Sequence, residues 1–290
     1  MNNKVADNTA ASMHQYLMTQ LSELYSEREA QNIVSILFQS LKNWNRMDFL
    51  MNKSERLSES EILHFHFKLK ELKSGKPIQY VLSETFFYGS KFYVSPSVLI
   101  PRPETEELVD LILKKEKEGQ LQVLDIGTGS GCIPISIQKK KRDWSVFGLD
   151  VSDAALEVAN SNNKLNEANV EFLKCDILNE VPSLKNLDVV ISNPPYVLES
   201  DKTEMTAGVL DWEPHLALFV EDSNPLQFYI RITDILPKIL KIGGRVYLEI
   251  HERFGQALKE YISTKSSSPI EIIQDLQGKD RIITFTYLPI

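Results

Sequence analysis

From Leu121 onward, short apolar runs alternate with helical stretches, and that alternation restricts the chain to a mostly parallel sheet covered on both faces. Val123–Ile126, Ser145–Leu149, Val170–Leu173, Asp188–Ser192 and Arg245–Ile250 read as strands, with helices between them. The last two runs, Ile270–Ile273 and Arg281–Tyr287, are joined through Gln277-Gly278-Lys279-Asp280. A connection that short predicts an antiparallel terminal pair. The expected fold class is therefore α/β, with an antiparallel last strand.

The chain before this region has a different pattern. Residues 1–74 contain no glycine or proline. Tyr16, Leu17, Leu21 and Leu24, then Ile33, Ile36, Leu37 and Leu41, recur at helical spacing. Ser58-Glu59-Ser60-Glu61 is a helix start, with Ile62, Phe65, Leu69 and Leu72 along one face. A small helical bundle is expected over 1–74. Gly75-Lys76-Pro77 breaks the pattern. Ile78–Leu82 and Thr85–Tyr88 then alternate like strands, Gly89-Ser90 signals a turn, and Lys91–Val94 returns. We expect a β-hairpin linker over 75–100 and a third region over 101–290, opened by a helix launched from Pro101–Glu106. No internal repeat or low-complexity segment stands out.

Composition narrows the class. With 290 residues, 42% hydrophobic and 25% charged, the chain can build one or two real cores. No run of 18 apolar residues suits a membrane span, and Met1–Asp7 lacks the basic and apolar regions of a secretory signal. Cys132 and Cys175 form no CxxC pair, which fits a reduced cytoplasmic protein. A net charge of −8 argues against general nucleic-acid binding. The one dense basic run, Lys139–Arg142, reads as a helix end favoured by the dipole. His64 and His66 sit on different faces of a helix, with no Cys or His cluster to complete a metal site. Nothing calls for more than a monomer.

Chemistry concentrates where strands end. Asn193-Pro194-Pro195-Tyr196 follows an apolar run, and its two prolines stop the strand and stiffen the backbone. Asn193 is thereby held at a carboxyl end, where open α/β sheets place ligands. The tetrapeptide offers a side-chain carbonyl, backbone carbonyls and an aromatic face, a set that suits a planar NH2 group. The first strand runs into Asp125-Ile126-Gly127-Thr128-Gly129-Ser130-Gly131, whose glycines let backbone approach a ligand closely. The spacing is GxGxG, unlike the GxGxxG of dinucleotide binders. Asp150 ends the second strand and is placed to accept both ribose hydroxyls of an adenosine. Asp176 ends the third. It either bonds the exocyclic amine of adenine or serves as a turn aspartate. Cys175 reads as a small buried residue.

This constellation resembles S-adenosylmethionine-dependent methyltransferases of the Rossmann-like class, in which NPPY marks amine methylation. Phe86, Tyr88, Gly89, Phe92, Val94 and Leu99–Glu106, with Gly75–Tyr80, narrow the resemblance to the HemK/PrmC family, the peptide-chain-release-factor glutamine N5-methyltransferases. The match runs over about 75–290, and the N-terminal bundle is also as that family has it. The IPRPETE string (Ile100–Glu106) separates the chain from a sister family that methylates a ribosomal protein. One departure is Glu249-Ile250-His251-Glu252, where many relatives have a glycine after the strand; the position reads as peripheral.

The resemblance implies S-adenosylmethionine as cofactor and class 1 release factors as protein substrate in translation termination. It implies that Gly127, Thr128, Gly129, Ser130 and Gly131 wrap the methionine part, that Asp150 takes the ribose, and that Asp176 and Ile177 line the adenine pocket. Asn193 serves both cofactor and substrate, and with Pro194, Pro195 and Tyr196 forms the catalytic set. Arg102 and Glu104 either shape the entrance or form an ion pair that orders the linker. Trp212, Glu213 and Pro214 lie in a loop that either clamps substrate or is purely structural. Leu226, Tyr229, Ile230, Ile232, Ile235 and Leu236 read as helix core. The competing reading is an adenine-N6 methyltransferase acting on DNA or RNA, disfavoured by net acidity and by the lack of a basic target-recognition region.

Overall fold

The computed structural model describes residues 7–116 and 119–290. Residues 1–6, on which the reading of a secretory signal rests, lie outside them. The chain divides into two compact units, Met1–Leu82 and Ser83–Ile290.

The first unit is helical: α1 (Ala10–Leu21), α2 (Glu27–Lys42), α3 (Arg46–Asn52), α4 (Glu59–Lys73) and α5 (Ile78–Leu82). Its first four helices start where the short polar side chains of Thr9, Ser26, Asn45 and Ser58 satisfy free N–H groups of the first turn. Ser58 and Glu61 form a reciprocal capping box at α4, and Asn45 and Asp48 do the same at α3. Met13, Leu17, Leu37, Phe38, Phe65 and Leu72 fill the core. Tyr16 meets the His66 ring edge-on at 5.2 Å, so that histidine has a packing role.

Ile78–Leu82 is a helix, contrary to the strand expected from its alternation. Five residues are too few for periodicity to separate the two forms. Pro77 opens the turn, with Val81 N–H bonding its carbonyl at 3.0 Å, and Lys68 Nζ caps the Val81 carbonyl at 2.5 Å. Ile78 and Val81 then reach the helical core together. The segment therefore belongs to the helical unit, and the hairpin that follows begins only at β1 (Glu84–Phe87), paired antiparallel with β2 (Ser90–Tyr93).

The second unit continues with α6 (Pro103–Lys115), β3 (Gln122–Ile126), α7 (Cys132–Lys140), β4 (Ser145–Asp150), α8 (Asp153–Leu165), β5 (Val170–Lys174) and β6 (Leu187–Ser192). After β6 come β7 (Val197–Leu198), α9 (Ala207–Trp212), β8 (Phe219–Val220), α10 (Gln227–Ile239), β9 (Leu240–Glu249), α11 (Gly255–Ser263), β10 (Ile270–Gln274) and β11 (Asp280–Thr286). Seven of these strands form one sheet in the order β10-β11-β9-β6-β3-β4-β5. Neighbours from β9 to β5 run parallel, and β11 lies antiparallel between β9 and β10. The α/β class, with its antiparallel last strand, is as the sequence indicates. The small parallel pair β7–β8 has no signal of its own in the sequence.

Helices on both faces explain why β3 and β6 read as nearly unbroken apolar runs: Leu124 and Val190 pack into one core, Val123, Val189 and Ile191 into the other. Fully burying each such side chain stabilises the fold by about 1.5–3 kcal/mol. From β3 the chain builds outward through β4 and β5, then returns to lay β6 on the other side. This reversal opens a crevice at the carboxyl ends of β3 and β6.

Asn162 of α8 ties the hairpin to that crevice. Its fully buried amide accepts from Tyr93 N–H at 2.6 Å and donates to the carbonyls of Tyr93 and Ser130, both at 2.9 Å. Asn162→Ala would leave these three backbone groups unpaired. We expect a loss of at least about 2 kcal/mol in the urea unfolding transition of the 83–290 unit; an unchanged midpoint would refute the role.

Candidate active site

β3 and β6 end in register, with Ile126 opposite Ser192, and Ser192 Oγ donates to the Ile126 carbonyl at 2.7 Å. The next residues on the two strands are Gly127 and Asn193. The register therefore sets the glycine turn beside the Asn-Pro-Pro-Tyr segment. Gly127 and Thr128 N–H both donate to the Leu149 carbonyl, at 2.9 and 2.8 Å, which folds the turn back over β4. Gly129 has φ +53° and its N–H donates to Asp150 Oδ2 at 2.9 Å. Gly131 has φ +77° and caps α7; a Cβ there would lie 3.0 Å from both Ile135 and the Phe172 ring. Few L-residues tolerate either demand.

These elements surround a cavity of about 310 Å³. Gly127, Gly129, Asp150, Asp176, Ile177 and Asn193 line it, together with Pro194 and Pro195. Thr128 and Ser130 have buried side chains inside the turn, and Gly131 sits behind it. Two further stretches close the cavity: Ser97–Leu99 from before α6, and Pro214, Leu216 and Ala217 from beyond α9.

Those two stretches are clasped together. Glu213 is almost fully buried, with Oε1 2.6 Å from Arg102 Nη2 and Oε2 accepting from Ile100 N–H at 3.3 Å. Arg102 pairs with Glu213, just after α9, and not with Glu104 as the linker reading had it. The Arg102 side chain is one-third exposed, so solvent weakens the pair, and its main effect is to fix two loops in one geometry.

The charge at the cavity is acidic and underpaired. Asp150 Oδ1 accepts from Ser152 N–H at 2.9 Å and Oδ2 from Gly129 N–H. Each oxygen retains acceptor capacity. Burial raises the Asp150 carboxyl and these N–H groups oppose the rise. Asp176 makes a turn, accepting from Leu178 N–H at 3.1 Å and Asn179 Nδ2 at 2.8 Å, while also lining the cavity. Both readings of Asp176 thus have a geometric basis.

Nothing in the sequence marks Asp125, at the head of the glycine turn, as a site residue in its own right. It lies fully buried at the end of β3, beneath the turn, and neither carboxyl oxygen completes a hydrogen bond among the described residues. Burial pushes its carboxyl up to about 7, against the opposing Thr128 hydroxyl. An orphaned buried carboxyl under a glycine turn is an unmet demand for a donor or a cation.

Behind Asn193 lies a second group that sequence reading missed. Asn193 Nδ2 donates to Thr105 Oγ1 at 3.2 Å, Thr105 donates to Glu249 Oε2 at 2.8 Å, and Tyr196 donates to Glu249 Oε1 at 3.3 Å. Burial pushes the Glu249 carboxyl up to about 7, and the Tyr196 hydroxyl is also raised, first by burial and then by Glu249. The Tyr196 ring meets His251 edge-on at 5.9 Å. The departure around His251 therefore touches the Asn-Pro-Pro-Tyr segment directly, and the position is not peripheral.

The fold and this cavity define a Rossmann-like methyltransferase. Residues 105–210 match the Methyltransferase small domain and residues 13–82 the PrmC N-terminal domain. A solved methyltransferase from Pyrococcus furiosus shares the fold at a TM-score of 0.50 and 18% identity, covering 80% of this chain and all of that one. The chain is 39% identical to the release factor glutamine methyltransferase of Flavobacterium psychrophilum, over 92% of this chain and 95% of that protein. With the enzyme of the same name from Bacteroides thetaiotaomicron it shares 40% identity over 93% and 97%. The chain belongs to the release factor glutamine methyltransferase family.

Folded Asp125 holds its proton up to about pH 7, whereas its ordinary value is 3.8. Between these limits the folded state binds the extra proton, so this group's contribution to stability falls as pH rises. Urea unfolding should show wild type losing stability relative to Asp125→Asn between pH 5 and pH 8. Parallel pH profiles would count against the protonated carboxyl.

Proposed function

We propose that the cavity holds S-adenosylmethionine and that Asn193-Pro194-Pro195 present the side-chain amide of the glutamine in the Gly-Gly-Gln motif of a class 1 release factor. As a member of its family the protein is an S-adenosylmethionine-dependent protein-(glutamine-N5) methyltransferase. The observation that carries the reading is a single cavity lined by Gly129, Asp150 and Asn193. The residues present fit the cofactor. Asp150 has acceptor capacity left for ribose hydroxyls. Ile177, with Asp176 beside it, offers an apolar wall and a carboxylate for adenine. Gly127 to Gly131, including Thr128 and Ser130, let backbone approach the methionine part, and the orphaned Asp125 beneath them suits a positively charged group.

S-adenosylmethionine supplies a methyl group on a sulfonium, a very good leaving group. What remains for the protein is the poor nucleophilicity of an amide nitrogen, whose lone pair is delocalised into its carbonyl. Asn193 Oδ1 and the Pro194 carbonyl accept the two hydrogens of the glutamine NH2. As the nitrogen gives up electron density these hydrogens become more positive, so the bonds strengthen on the way to the transition state. Pro195 packs on the amide plane and holds the nitrogen in line. Tyr196 supports the segment from behind through Glu249. The extra proton of the product leaves to water. In this reading the enzyme works as a monomer in the cytoplasm, with the release factor as its transient partner and no stable contact with nucleic acid or membrane. No helix among the described residues is long and apolar enough to cross a membrane.

Asn193→Ala should lower kcat by about 100- to 1,000-fold, the scale of losing one preorganised hydrogen bond to the reacting group. Cofactor affinity, read by direct titration, should stay near wild type. Near-normal turnover in the variant would remove Asn193 from the mechanism. Supplying labelled S-adenosylmethionine together with release factor, DNA or RNA tests the substrate: label on a glutamine side chain is expected, and label on adenine would overturn the reading.

A further inference from the structure

A side-chain amide is nearly the same shape either way round, so something must decide that Asn193 turns its oxygen, and not its NH2, toward the cavity. We propose that Thr105 and Glu249 are positioning residues that set this orientation through a one-way hydrogen-bond relay. The inference rests on the reading of Asn193 Oδ1 as the acceptor for the substrate amide.

The relay runs across three elements. Glu249 ends β9, Thr105 lies in the first turn of α6, and Asn193 follows β6. An ionised carboxylate can only accept. Glu249 therefore obliges Thr105, at 2.8 Å, and Tyr196, at 3.3 Å, to be donors. The Thr105 hydroxyl has one proton. With that proton committed to Glu249, only lone pairs face Asn193, and the amide must answer with Nδ2, at 3.2 Å. Its Oδ1 is then left for the cavity that Asn193 lines. With the amide reversed, an NH2 would face the substrate's NH2, donor against donor. Thr105 and Glu249 are 3% and 1% exposed, so solvent cannot easily substitute for either. Tyr229 holds the base of the relay by donating to the Glu249 backbone carbonyl at 3.0 Å.

The relay has a direction only while Glu249 is ionised. A protonated carboxyl can donate to Thr105, which frees the threonine proton to turn toward Asn193 and makes the reversed amide equally well bonded. The charged and titratable groups around Glu249 come from several elements: Arg281 of β11 favours ionisation, Glu104 of α6 opposes it, and Tyr196, Tyr229 and Cys132 also face it. Its carboxyl is held near 7 by burial, so acid should disable the relay in the neutral range.

The test uses the full-length enzyme with a release factor as substrate, reading kcat, KM, the pH dependence of kcat, and cofactor affinity by direct titration. Thr105→Val keeps the branched shape and removes the hydroxyl; it should lower kcat by about 10- to 100-fold with cofactor Kd within about twofold of wild type. Thr105→Ser should restore kcat to within about threefold of wild type. Glu249→Gln should lower kcat and erase the fall that wild type shows as pH drops through about 7. If Thr105→Val and Glu249→Gln turn over like wild type while Asn193→Ala is inactive, the relay is refuted and the role of Asn193 stands. If Asn193→Ala itself stays active, the underlying reading fails instead. A loss in Thr105→Val that serine does not restore, accompanied by weakened cofactor binding, would assign Thr105 to packing and overturn the proposal.

Discussion

The parallel register of β3 against β6 is the constraint on which the site depends. Ile126 faces Ser192, and the buried Ser192 hydroxyl locks the pair by bonding the Ile126 carbonyl. Because side chains alternate between the two faces, a slip of one residue would send Leu124 and Val190 into the wrong core. The two apolar cores thus enforce the register. The register in turn brings the glycine turn and Asn193 to the same edge, and the reversal of strand order at that point leaves the gap between them.

Around this junction the protein holds carboxyl groups where a folding criterion alone would not place them. Asp125 and Glu249 are both buried, and burial raises both to about 7. Keeping such a group ionised without a close counter-charge costs several kcal/mol, so each sits near the balance between charged and neutral. Their surroundings differ. Among the described residues Asp125 has no completed hydrogen bond, whereas Glu249 receives two hydroxyl donors. The first is open to stabilisation from a bound cation; the second is already organised by protein groups. Unsatisfied demand under the glycine turn and satisfied demand behind Asn193 are two uses of the same chemistry.

The loops that close the cavity show how one distant pair shapes a site. Arg102 precedes α6 and Glu213 follows α9, 111 residues apart along the chain, yet their ion pair joins the Ser97–Leu99 stretch to the Pro214–Ala217 stretch. Each residue was noticeable in the sequence as a charge in an unusual loop. Their pairing was not, because contact order cannot be read from two isolated charges. The same applies to Asn162, which looks like any polar residue within a helix until its amide is seen bridging Tyr93 and Ser130.

The sequence by itself determined the element types wherever a period ran long enough to be unambiguous: the helical character of the first unit up to Lys73, the seven strands of the main sheet and the antiparallel end. It also determined the strand-end positions of Gly127–Gly131, Asp150 and Asn193–Tyr196, because glycine freedom and proline stiffness act locally. Tertiary structure decided what local chemistry leaves open. Ile78–Leu82 became helical because a helix lets Ile78 and Val81 share the neighbouring core. His251 came to rest on Tyr196, and Thr105 and Glu249, 144 residues apart in the chain, met behind Asn193. Hydrogen-bond direction and burial are properties of groups brought together in space, and sequence spacing carries no record of them.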